Sequence, residues 1–153
     1  MYYGPSVWEA SDIATAAPYE LNRLITVWAT VAYIEARDTL AAVEVHIPAL
    51  PTTPTTAQLA TAADQLRRLS ASDYLRVQFP ADIAQTAARG LANLAGAAFL
   101  LSWYADRPGN YWRQSSVETA IREGQQRIKA VSAYLGIEPE EAGVGDTLAE
   151  LEQ

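Results

Sequence analysis

The sequence predicts an all-α fold: a helical bundle of three long helices plus one shorter helix, with an irregular N-terminal arm and an acidic C-terminal tail. Three observations predict it. Apolar residues recur at spacings of three and four through four separate stretches, the period of a helix buried along one face. Prolines, a capping box and a glycine stand where those stretches begin and end. The connections between them are short, and 153 residues suffice to bury roughly 68–70% of the unfolded surface in one core without metal or disulfide.

The expected domain is residues 1–137, with 1–17 as the arm and 138–153 as the tail. The arm carries Tyr2, Tyr3 and Trp8 around Gly4-Pro5. Its aromatics either strap the bundle or form a contact arm for a neighbouring chain. Pro18 suits the first position of a helix, where its missing N–H costs nothing. From there Leu21, Leu24, Ile25, Trp28, Val31 and Ala32 form a stripe, widened by Val27, Tyr33 and Ile34. The pattern persists to Leu40 and Val43 and Pro48 forbids its continuation, so this helix spans 18 to about 45. Val43, Val45 and Ile47 alternate, which makes a short extended segment the alternative for its last turn.

Pro48, Pro51 and Pro54 make 47–56 a linker. Thr55 or Thr56 caps the next helix, 57–69, whose stripe is Leu59, Ala62, Ala63, Leu66 and Leu69. Ser72-Asp73 precedes a single turn, Tyr74–Gln78. Pro80 opens the central helix, with Asp82 complementing the dipole. This helix has no charge from Gly90 to Tyr104. That run is shorter than the ~20 apolar residues of a membrane span and suits a buried core helix. One stripe is Ile83, Ala87, Leu91, Leu94, Ala98 and Leu101; the adjacent one is Ala84, Ala88, Ala95, Phe99 and Ser102. Gly90, Gly96 and the alanines permit close helix–helix approach. After the turn Arg107-Pro-Gly-Asn110, Ser115-Ser-Val-Glu118 is a capping box for the last helix, which runs through Val117, Ile121, Ile128, Val131 and Leu135 to a C-cap at Gly136. Gly124 inside it either weakens the helix slightly or marks a close contact.

The net charge of −7 is uneven: residues 138–153 hold six acidic and no basic residues, while the first 137 hold 12 acids and 11 bases. A nearly neutral body lacks the basic footprint of a nucleic-acid binder. MYYGPSVWEASD lacks the positive and apolar regions of a secretory signal.

Chemical signatures are few. A carboxylate-bridged di-metal bundle needs a Glu-x-x-His on each of two helices, and the chain has one histidine, His46, with Val43 three residues before it. His46 is expected at a helix end or on the surface. Glu35 and Asp38, at i and i+3, are too few to hold Mg²⁺ and read as a solvated face neutralised by Arg37. No Gly-x-Ser-x-Gly elbow, cysteine or phosphate-binding glycine loop occurs. No catalytic, cofactor-binding or metal-ligating residue is therefore assigned, and no cofactor is expected. What remains is surface for partners. Trp103, Tyr104, Tyr111 and Trp112 flank the turn after the central helix; they either plug the bundle end or anchor an interface. Leu148 and Leu151 lie one helical turn apart in the acidic tail, which is either a solvated end or a segment that orders against a partner.

Two segments resemble the head–tail connector (adaptor) proteins of tailed bacteriophages. Tyr19-Glu-Leu-Asn-Arg-Leu-Ile-Thr-Val-Trp-Ala-Thr-Val-Ala-Tyr-Ile-Glu35 is similar to their early helix. Phe79-Pro-Ala-Asp-Ile83, followed by an apolar helix ending Trp103-Tyr-Ala-Asp-Arg107, is similar to their later helix. Here the Pro/Thr linker and an extra helix stand where those proteins carry a β-hairpin or loop. The resemblance implies a non-enzymatic structural virion protein of the head–tail neck, made in the host cytoplasm. It would form a homo-oligomeric ring under the portal protein, contact neck or tail proteins, and pass DNA as cargo without specific binding; no membrane is involved. The alternatives are a cytosolic bacterial helical-bundle interaction module and, behind it, a small all-α Mg-dependent nucleotide hydrolase.

Overall fold

The wide apolar arc of the first periodic stretch becomes helix α1, Pro18–Ala41. Nearly every side chain from Ile25 to Leu40 is buried or half-buried, Trp28, Val31 and Leu40 almost completely. The computed structural model describes residues 18–51, 53–104 and 114–137, and among them the fold is all-α: five helices and no strand. Helix α1 stops short of residue 45 because the chain turns left-handed at Glu44, φ 61°. The Val45 N–H donates to the Leu40 carbonyl at 3.0 Å and the Glu44 N–H to that of Ala41 at 3.1 Å. This pair of bonds is a Schellman end, built here without the usual glycine. The alternation beyond it does not become a strand; Val45 and Ile47 simply turn back onto the core. The Tyr33 hydroxyl donates to the Pro48 carbonyl at 2.5 Å and fixes the start of the proline linker.

Helix α2, Thr56–Ser70, is capped by Thr55. Thr55 Oγ1 accepts from the Gln58 N–H at 3.1 Å, and Gln58 Oε1 accepts from the Thr55 N–H at 2.8 Å, so two otherwise unpaired donors are satisfied reciprocally. A single turn, α3 (Tyr74–Gln78), leads through Phe79 into α4, Ala81–Tyr104. Helix α5, Gln114–Leu135, places Ser115 already inside its first turn. It closes at Gly136, φ 74°, with the Gly136 N–H bonded to Ala133 O and the Ile137 N–H to Ser132 O, a second Schellman end.

Helix α4 is the shared element: it packs along α2 and along α5, while α1 lies against α5 and α4. One apolar cluster runs from Ile25 to Val131 and draws on all five helices. The α4–α5 contact is set by two glycines. A Cβ on Gly124 would meet Leu94 Cδ2 at 2.6 Å, and one on Gly90 would meet the Arg127 Cβ at 3.1 Å. Gly96 does not do this work. It is exposed, with nothing within 4 Å of where its Cβ would stand.

Two outcomes follow for thermal and chemical denaturation. Gly124→Ala is expected to destabilise by about 1–2 kcal/mol, because overpacking against Leu94 exceeds the helix-propensity gain, whereas Gly96→Ala stabilises by about 0.5–1 kcal/mol. Equal effects at both sites would contradict the crossing. Glu44→Gly is expected to stabilise by about 1 kcal/mol by relieving the left-handed conformation; a lower melting temperature would count against it.

Candidate association face

The side of α4 that faces away from the core carries six residues at alternating spacings of four and three: Gln85, Arg89, Ala92, Gly96, Phe99 and Trp103. All six are exposed. This is the 3.5-residue spacing of a helix–helix seam, and its C-terminal two thirds are apolar. Phe99 is 56% exposed and Trp103 46%, against complete burial of Leu91 on the opposite side. Phe99 therefore departs from the expectation that it packs with Ala84 and Ala95, which are buried. Phe99 lies on the flank of α4 that carries the exposed Ala92 and Gly96.

Beside this seam a groove of about 590 Å³ separates α4 from α2. Its walls are small: Ala60 and Ala63 from α2, Ala92, Ala95 and Gly96 from α4, with Phe99 at one end. The other end is polar. Asp64 accepts from Arg67 at 2.6 Å and from Arg68 at 2.9 Å, a self-neutralised cluster on an exposed helix surface. Arg89 makes no ion pair with any described residue.

Of the residues singled out from the sequence, Trp103 lies on this face and Tyr104 ends α4. Tyr2, Tyr3, Trp8, Tyr111, Trp112, Leu148 and Leu151 lie outside the described residues. His46 is exposed, 3.2 Å from Glu44 and past the end of α1.

Glu35 is not part of a solvated face. It is 7% exposed, and its Oε1 accepts from Gln125 Nε2 at 2.5 Å. Gln125 Oε1 in turn accepts from Trp28 Nε1 at 2.7 Å, and the Arg122 guanidinium lies 5.5 Å from the centre of the Trp28 ring. This chain ties α1 to α5. A sequence signal for it existed: Glu35 follows Trp28 by seven residues, and Gln125 falls between Ile121 and Ile128 on a buried stripe. Asp38, one turn on, is half-buried. Among the described residues no three His, Cys, Asp or Glu side chains are grouped to hold a metal ion, and no helix is long and apolar enough to cross a membrane.

Burial raises the Asp38 carboxyl above its ordinary value of 3.8, with the Arg37 charge acting in the opposite direction. Below the ordinary value the carboxyl is neutral in both folded and unfolded chains. As pH rises, the unfolded chain ionises first, so folding loses stability up to the raised value. Asp38→Asn is therefore expected to melt higher than the parent at pH 7, the gap closing as pH falls towards 3.8; a gap that widens on acidification would contradict the sign. Comparison of the chain with known protein families, with curated proteins and with solved structures finds no match.

Proposed function

We propose that this chain is a structural assembly subunit, and that its assembly is the one implied by the sequence resemblance, a head–tail connector ring under a phage portal. The observation that carries the assembly reading is the exposed apolar seam of α4. A helix uncharged from Gly90 to Tyr104 is chemically a core helix, yet its Ala92, Gly96, Phe99 and Trp103 are exposed. Contiguous apolar surface with a polar border is what protein–protein contacts use. In the sequence the seam is followed by Tyr104, Tyr111 and Trp112, the residue types that anchor interfaces. The near-neutral body and the acidic residues 138–153 fit a channel wall that lets DNA pass without gripping it.

The test is sedimentation of the purified full chain, alone and mixed with the portal ring encoded nearest to it. The connector reading expects co-sedimentation with the portal ring at a fixed stoichiometry. A chain that never joins a ring overturns the connector and leaves the cytosolic interaction module in its place.

A further inference from the structure

We draw no further inference here: the strongest candidate, the apolar surface patch that Tyr74 and Val77 expose on α3, carries none, because nothing in the structure shows what covers it.

Discussion

Where α4 crosses α5, one side of each close contact is a glycine: Leu94 of α4 lies over Gly124 of α5, and Arg127 and Ile128 of α5 lie over Gly90 of α4. Much of the remaining packing depends on that spacing. It holds Arg127 against Asn93 through a direct hydrogen bond. It also sets α5 at the depth from which Gln125 reaches both Trp28 and Glu35 on α1. The two glycines cost helix propensity, and the buried Leu91, Ile121 and Ile128 offset it, each contributing about 1.5–3 kcal/mol on burial. On its other flank α4 packs along α2, and the groove lies between these two helices.

The Trp28–Gln125–Glu35 chain does a different job. Apolar contacts between α1 and α5 tolerate sliding, since one aliphatic side chain replaces another at little cost. Hydrogen bonds do not. Moving α5 by one turn would set the Gln125 amide opposite apolar side chains, at about 1–3 kcal/mol for each group left unsatisfied. The network therefore selects one register of the two helices, whatever it adds to stability.

Period and punctuation were legible from the residues. The helices starting near Pro18 and Pro80 and the stop at Gly136 were readable because proline and glycine act locally. The end of α1 was not, because a left-handed Glu44 carries no local mark; it is imposed by Val45 and Ile47 returning to the core. Glu35 was misplaced for a related reason. Its neighbours Arg37 and Asp38 look like a charged surface, and only the position of Gln125, ninety residues away, makes a buried carboxyl tolerable. Phe99 shows the converse failure. Its apolar character predicts burial, whereas exposure follows from which sides of α4 are taken by α2, α5 and α1.

The ring of Phe79 meets that of Tyr134 edge-on, 6.3 Å between centres, and so fastens the last turn of α5 beside the first turn of α4. The chain thus leaves α5 for its acidic residues at the opposite end of α4 from Trp103, about 36 Å away along the helix. The two ends of α4 therefore differ in kind: one carries the exposed ring of Trp103, and the other is clasped by the Phe79–Tyr134 pair. A subunit with such polarity has an inherent up and down. Any stack that uses both ends must set every copy the same way round.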